Sequence, residues 1–201
     1  GQYENALLFL DEAWRLAVST DDPETRIRVL LSRGNARFNE GEYTLADAAW
    51  RDALAEAEFA GNETLIGAAR VYMARSTLAE GIAGANVSKE DRALRAAQAK
   101  TTAVNELKRL SDNALYEAFA WKLIGLAEKE LGNTAAAEKA ILSAFNIHEK
   151  GRYLEDAAYD WYLVASTRSK AGDYKGAREA LYQALEFDRR AQPGRATAEH
   201  D

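Results

Sequence analysis

The 201-residue sequence contains no cysteine. This absence excludes a disulfide framework, a thiolate metal site and a cysteine nucleophile. Only 2 prolines occur, whereas alanine and leucine are frequent, and this composition favours helices over a β-sandwich. No apolar run approaches the roughly 18 residues that a membrane-spanning helix needs. The 47% hydrophobic and 29% charged residues indicate a folded domain rather than a disordered chain.

Sequence motifs of catalysis are also missing. There is no HExxH, no phosphate-binding loop and no nucleophile elbow. The two histidines, His148 and His200, are far apart in sequence, and we expect His148 on the surface of an amphipathic helix. The net charge of -6 disfavours a general role in binding nucleic acid. The sequence therefore predicts a protein that is not an enzyme and needs no cofactor or metal.

Apolar residues recur at helical spacing almost from end to end, and turn signals interrupt this pattern at regular intervals. We expect Gly41, Gly132 and Gly172 to end helices, because a left-handed residue is favoured there. The segments between turns are about 15 to 20 residues long, as is usual for globular helices. The pattern predicts nine helices, over residues 4–20, 24–39, 43–60, 63–80, 90–110, 113–131, 134–150, 154–170 and 174–190.

Several segments of the chain share one internal pattern. Residues 35–54 and 166–185 each contain a glycine–acid–tyrosine turn, then an alanine, a bulky apolar residue four positions on, and Ala-Leu three positions beyond it. The same pattern fits residues 132–145 and 1–14. The alanines lie 40, 50, 41 and 40 residues apart, at Ala6, Ala46, Ala96, Ala137 and Ala177.

This pattern resembles the tetratricopeptide repeat (TPR), which has a W-x2-L-G-x2-Y first helix and an A-x3-F second helix. One match consists of Trp121, Ile124 and Gly125, followed by Ala137 and Ile141. The repeat of about 40 residues resembles the extended variety of kinesin light chains, bacterial peptide-pheromone sensors and the sensor domain of a maltose-regulon activator. The resemblance implies an all-α, right-handed superhelical array of antiparallel helix pairs that serves as a non-enzymatic interaction scaffold.

The resemblance also implies a division of the chain. A half repeat would occupy residues 1–22, and complete repeats would occupy about 24–60, 62–110, 113–150 and 154–190. Residues 191–201 would form a polar tail or the start of a truncated helix. The second repeat carries an insertion at 81–88, which we expect to be a surface loop, with a ligand-contacting flap as the alternative. Ser88 with Asp91 predicts the start of the next helix.

Small residues recur where the two helices of a repeat would meet, and they allow a close approach. In the first helices these are Gly34, Ala69, Gly125 and Ala165. We expect the alanines of the second helices to meet these positions, and Trp121 and Trp161 to fill the gap beside the contact.

In TPR proteins, ligand contacts come chiefly from the first helices, which line the concave face. The positions of this chain that correspond to the concave lining carry five basic residues, together with aromatic and apolar side chains. Glu63 is the one acid among them. This composition suggests a binding surface for a peptide or protein segment with acidic and apolar character. The predicted lining consists of Arg28, Leu31, Asn35, Phe38, Arg70, Met73, Phe119, Lys122, Leu126, Lys129, Tyr159, Tyr162, Ser166 and Lys170.

Two alternative functions remain open. The groove of a ligand-sensing domain would hold a short peptide or a small molecule. An oligomerisation module would use the opening half repeat, whose apolar face with Leu7, Leu10 and Trp14 lacks its own first helix. We expect neither nucleic acid nor membrane insertion in any of these cases.

Overall fold

The computed structural model describes residues 2–84 and 86–192, and this part of the chain is all-α. The prediction of nine helices is confirmed within these residues. The largest shift of a C-terminal boundary is in the fourth helix, which continues to Ala83 instead of residue 80. The helices are α1 Gln2–Ser19, α2 Pro23–Asn39, α3 Tyr43–Ala60, α4 Glu63–Ala83, α5 Lys89–Leu110, α6 Ala114–Glu130, α7 Thr134–Gly151, α8 Leu154–Lys170 and α9 Tyr174–Ala191.

Short polar side chains begin several of these helices. The Asp22 carboxylate accepts hydrogen bonds from the backbone N–H of Thr25 at 3.1 Å and from its hydroxyl at 2.6 Å, and the hydroxyl bond is the main cause that lowers the pKa of Asp22. Ser88 accepts from the Asp91 N–H at 3.0 Å, so the predicted start of α5 is confirmed. The expected loop at 81–88 is shorter than predicted, because residues 81–83 still belong to α4.

Glycines in the left-handed region follow several helices. Gly41, Gly132 and Gly172 have φ angles of 83°, 81° and 86°, as the sequence predicted. Arg152 takes the same conformation after α7, with φ 59°, although it is not a glycine. These turns let consecutive helices reverse direction within a few residues.

The chain divides into two compact units at the boundary between Asp112 and Asn113. Unit 1 contains α1–α5, in which α2 packs with α3 and α4 with α5. Unit 2 contains α6–α9, in which α6 packs with α7 and α8 with α9. Each unit is therefore built from antiparallel helix pairs, and the chain is an all-α helical repeat array. No helix in the described part of the chain is long and apolar enough to cross a membrane.

The core of unit 1 is organised around Trp50 of α3, which is fully buried. Its indole lies against Gly34 of α2, where an added Cβ would overlap the ring. The indole N–H donates to the Leu31 carbonyl at 3.2 Å, and the ring stacks on Tyr72 at 5.6 Å between centroids. The predicted close approach of α2 and α3 at Gly34 is therefore confirmed, because only glycine leaves room for this indole.

Unit 2 has an equivalent contact between α6 and α7. A Cβ added at Gly125 would lie 2.5 Å from Cγ1 of Ile141 and 3.0 Å from the Ala137 carbonyl oxygen. Ile141 in turn packs against Leu163 and Val164 of α8. The first helices of unit 2 are thus held close to α7 by a small residue on one side and by aliphatic packing on the other.

A buried polar pair joins α7 to α8. The side chains of His148 and Asp160 are both buried, and His148 Nδ1 lies 2.5 Å from Asp160 Oδ2. Burial raises the pKa of Asp160, and the hydrogen bond from His148 opposes this shift. The expectation of a surface histidine is wrong, because position 148 continues the buried stripe of Ala137, Ile141 and Ala144 on α7.

Candidate functional site

The predicted lining residues of unit 1 lie on α2 and α4, and we call them the unit-1 face: Arg28, Leu31, Asn35, Phe38, Arg70 and Met73. Leu31 is buried in the core, so its side chain has no surface to offer a partner. The Phe38 ring is half-buried, with its centroid 5.1 Å from that of Tyr43 and 5.8 Å from that of Trp50. The Arg75 guanidinium lies over it at 3.9 Å. The only aromatic ring of this face is therefore covered by the protein itself.

The cations of the unit-1 face are occupied by acidic neighbours. Arg28 pairs with Glu24 at 2.7 Å, one helical turn before it. Arg70 pairs with Glu58 at 3.0 Å and with Glu106 at 3.3 Å. The positive charge that the sequence suggested for a ligand is thus largely offset within unit 1.

The remaining predicted residues lie on α6 and α8, and we call them the unit-2 face: Phe119, Lys122, Leu126, Lys129, Tyr159, Tyr162, Ser166 and Lys170. Tyr159 and Tyr162, one turn apart on α8, are 51% and 53% exposed. Their rings stack with centroids 6.1 Å apart and planes at 21°. Unlike Phe38, these two rings present a large part of their surface to solvent.

Lysines of the unit-2 face connect α6 with α8. Lys122 donates to Asp156 at 3.2 Å, and its ammonium lies 5.7 Å from the Tyr159 ring centroid. Lys129 donates to the Ser166 hydroxyl at 2.6 Å. These contacts hold the two first helices side by side and fix the positions of the exposed tyrosines.

Lys129 differs from the other predicted cations in its partner. Lys170 pairs with Glu130 at 2.8 Å, whereas Lys129 has no carboxylate within ion-pair distance among the described residues. Burial is the main cause that lowers the pKa of Lys129, and the positive charge of Lys170 adds to this effect. Sequence reasoning missed most of these pairings because the acids come from other helices; only Glu24, four residues before Arg28, could be found from spacing.

An open cleft of about 640 Å³ lies beside the unit-2 face. Four predicted residues line it, together with side chains of α9 that the sequence analysis did not single out. The α9 positions were missed because the resemblance assigns ligand contacts chiefly to the first helices, and α9 is a second helix. The polar and large lining residues are Lys129, Tyr162, Ser166, Ser169, Lys170, Tyr174, Arg178 and Leu181.

The side chains of α1 are arranged differently from the expectation for an oligomerisation surface. Leu7, Leu10 and Trp14 are half-buried, and the Arg33 guanidinium covers the Trp14 ring at 5.2 Å. The apolar side chains of α1 that stand exposed include Leu8 and Phe9. The predicted apolar face thus packs on the following helices of unit 1.

Comparison with known proteins gives a fold. No family model matches the chain, and no curated protein matches it. The chain is similar to a single-substitution variant of a kinesin light chain from Podosopora anserina with nearly identical TPR-like repeats. That match has 16% sequence identity and a TM-score of 0.52, and it covers 96% of this chain and 90% of the other.

Two further solved structures were found. The unsubstituted Podosopora anserina protein matches at 16% identity and a TM-score of 0.49 over 96% of this chain and 90% of the other. BtubC (BKLC) from P. vanneervenii matches at 18% identity and a TM-score of 0.38 over 96% and 91%. From the helix pairs and the first of these likenesses, the chain has a TPR-like repeat fold.

Proposed function

We propose that the chain is a non-enzymatic scaffold that binds a peptide or protein segment on the unit-2 face. The observation that carries this proposal is the stacked, half-exposed pair of Tyr159 and Tyr162 beside Lys122 and Lys129. Aromatic rings flanked by polar groups are the usual anchors of protein interfaces. Rings that are already stacked and held by neighbouring contacts lose little conformational freedom on binding.

The contrast with the unit-1 face supports unit 2 as the binding unit. On the unit-1 face the aromatic ring of Phe38 is covered by Arg75, Tyr43 and Trp50. A partner would have to displace these contacts before it reached the ring. The tyrosines of the unit-2 face need no such rearrangement.

The chemistry of the unit-2 face suggests the character of the bound segment. An apolar or aromatic side chain would pack on the rings of Tyr159 and Tyr162. A carboxylate would best reach Lys129, since Lys122 and Lys170 already have Asp156 and Glu130 as partners. We therefore propose a segment with an apolar anchor and an acidic residue beside it, in which apolar packing contributes more than charge.

A displayed library of random 16-residue peptides tests this function. Peptides enriched by the wild-type chain are measured by fluorescence anisotropy against the triple variant Lys122→Glu, Lys129→Glu, Tyr162→Ala. We expect the variant to bind about tenfold more weakly or worse, which corresponds to about 1.4 kcal/mol. Circular dichroism establishes that the variant is folded.

A matched control and a milder variant make the result specific. The control Lys108→Glu, Lys139→Glu, Phe59→Ala also reverses two lysines and truncates one aromatic side chain, at exposed positions outside both faces, and should bind like the wild type. The single change Tyr159→Ala removes the ring near Lys122 but keeps the hydrogen bonds of Lys122 to Asp156 and of Lys129 to Ser166. This variant should also bind the peptides more weakly. Equal binding by the wild type and the triple variant, or a library without enriched peptides, would overturn the proposal.

A further inference from the structure

The buried pair of His148 and Asp160 lies inside unit 2 and is not part of the unit-2 face. The two side chains are only 1% and 0% exposed, and their facing atoms are 2.5 Å apart. The second carboxylate oxygen of Asp160, Oδ1, is also buried and has no hydrogen-bond partner among the described residues. The pair is therefore a buried ionisable unit whose members, on α7 and α8, share one hydrogen bond.

The pair changes its charge as a unit, because its two groups share one proton. With this proton the pair has no net charge, either as neutral imidazole and carboxylic acid or as imidazolium and carboxylate. Without the proton, the pair carries one negative charge in a buried site. Burial raises the pKa of Asp160, which means that the folded chain resists this charge. The proton is lost as the pH rises, so the negative charge appears at the higher pH.

Charged groups on two helices act on this carboxyl group. Besides burial and the hydrogen bond from His148, the charge of Lys122 on α6 lowers the pKa of Asp160, and the charge of Asp156 on α8 raises it. Lys122 and Asp156 also bind each other, with the ammonium donating to the carboxylate at 3.2 Å. The charge of the buried pair is therefore coupled to an ion pair at the surface of unit 2.

Other titratable groups near the pair lie toward solvent or beside aromatic rings. Glu149 and Lys150 follow the histidine on α7 and are exposed. The Tyr153 ring meets the histidine edge-on, with centroids 6.2 Å apart. From α9, the Arg190 guanidinium lies over the Phe187 ring at 4.5 Å. None of these residues belongs to the unit-2 face, whereas the lysine of α6 does, so that lysine connects the pair to the proposed site.

Lys122 links the buried pair with the exposed tyrosines. Its side chain is only 13% exposed, and its ammonium lies 5.7 Å from the centroid of the Tyr159 ring. Asp160 follows Tyr159 directly in the chain, so a charge on this carboxyl acts on the same ammonium. A negative charge there attracts the ammonium and competes with the contacts that hold it beside the ring. It also repels the acidic residue of the proposed segment.

We propose that the proton shared by His148 and Asp160 regulates binding on the unit-2 face, so that an acidic segment is bound tightly while the pair is protonated and is released as the pH rises. This inference rests on the proposed function, since it concerns the regulation of the same face. Such coupling is reciprocal, so a bound segment also makes the pair hold its proton more tightly. The pair regulates the face without contacting the segment.

Nuclear magnetic resonance of the full chain without a peptide tests the coupling itself. Isotope labels follow His148 and the rings of Tyr159 and Tyr162 between about pH 5 and about pH 8, a range that spans the ordinary histidine pKa of about 6.5. The variant His200→Gln assigns the histidine signals. We expect the two tyrosines to shift with the same midpoint as His148, whereas Tyr43 of unit 1 should not. Tyrosine signals that stay constant, or a histidine without a midpoint in this range, would overturn the proposal.

Peptide affinity tests the regulation. A histidine-free peptide enriched by the wild-type chain is measured by fluorescence anisotropy at about pH 5.5 and about pH 8, at constant ionic strength. The wild type should bind about fivefold more weakly at the higher pH, whereas Asp160→Asn, which does not titrate, should change by less than about twofold. The exposed change Asp188→Asn should keep the wild-type dependence. An equal dependence in Asp160→Asn would assign it to Lys129, whose pKa is lowered by burial, and the proposal would fail.

The two experiments keep this proposal separate from the proposed function. A library without enriched peptides overturns the proposed function, while the resonance titration still decides whether the pair controls the tyrosines. Enriched peptides whose affinity is independent of pH leave the proposed function standing and overturn the regulation. If circular dichroism shows that Asp160→Asn does not fold, the wild-type titration decides, because it needs no variant of the pair.

Discussion

The unit-1 face and the unit-2 face follow the same repeat pattern but present different surfaces. Phe38 of the unit-1 face lies under the Arg75 guanidinium and against two other rings. Tyr159 and Tyr162 of the unit-2 face stack on each other and remain half exposed. A first-helix position in this fold is therefore not a binding position by itself; its exposure depends on what the neighbouring helices bring to it.

A second-helix residue accounts for much of this difference. Trp50 of α3 and Ile141 of α7 occupy the same position of the repeat pattern. The large indole of Trp50 reaches both Phe38 and Tyr72, so it draws aromatic side chains of the first helices into the core. Ile141 fills its place with aliphatic contacts to Leu163, and Tyr159 and Tyr162 of α8 remain half exposed.

The largest expected effect comes from removing this indole. Trp50→Ala should lower the free energy of unfolding of unit 1 by about 3 to 5 kcal/mol, because the side chain is fully buried and Gly34 cannot fill the cavity. Urea titration measures the loss, and hydrogen exchange should place it within residues 23–112. Phe59→Ala, at a site that is 96% exposed, should change stability by less than about 0.5 kcal/mol. A loss from Trp50→Ala below about 1.5 kcal/mol would mean that the indole does not organise this unit.

Much of the fold could be predicted from the sequence because its determinants are local. The turn glycines Gly41, Gly132 and Gly172 and the helix start at Ser88 depend on neighbouring residues, and all four were predicted. The burial of His148 was missed, although its spacing from Ile141 and Ala144 places it on the buried stripe of α7. Polarity was given more weight than periodicity there.

The candidate site was less predictable because its properties depend on contacts between helices. The pattern could propose that Lys122 and Lys170 lie on a surface, but it could not show that Asp156 and Glu130 neutralise them. Leu31 was assigned to the lining, but its spacing from Ile27 and Gly34 follows the buried stripe of α2. In a repeat protein, charge balance and side-chain exposure thus depend on contacts between helices, even where the helices themselves are determined by the local sequence.

Buried carboxylates offer a second way to compare the units. Unit 1 buries Glu106 between Arg70 and Arg109, at 3.3 and 2.9 Å, whereas unit 2 buries Asp160 against His148 alone. Burial raises the pKa of Asp160, so the folded chain holds this proton more tightly than the unfolded chain. The stabilisation by this proton is complete below the unfolded pKa and is lost as the pH rises through the folded pKa.

The corresponding prediction concerns the slope of stability with pH. Asp160→Asn should flatten the decline in the free energy of unfolding as the pH rises above the ordinary aspartate pKa, by up to about 1.4 kcal/mol per pH unit, since the amide does not titrate. Urea titrations at several pH values measure the slope. The exposed change Asp188→Asn should leave it as in the wild type. An unchanged slope in Asp160→Asn would assign the pH dependence to other groups.

The smallest expected effect tests the cover over Phe38. A double-mutant cycle with Arg75→Ala and Phe38→Leu should give a coupling energy of about 0.5 to 1 kcal/mol, as expected for a cation over an aromatic ring. Arg51→Ala, at a largely exposed arginine paired with Asp47 on the outside of α3, serves as the control and should show no coupling to Phe38. The cycle separates the ring contact from the other interactions of Arg75. A coupling energy near zero would mean that Tyr43 and Trp50 alone close the unit-1 face, and the contrast with the unit-2 face would then rest on the second helix rather than on charge.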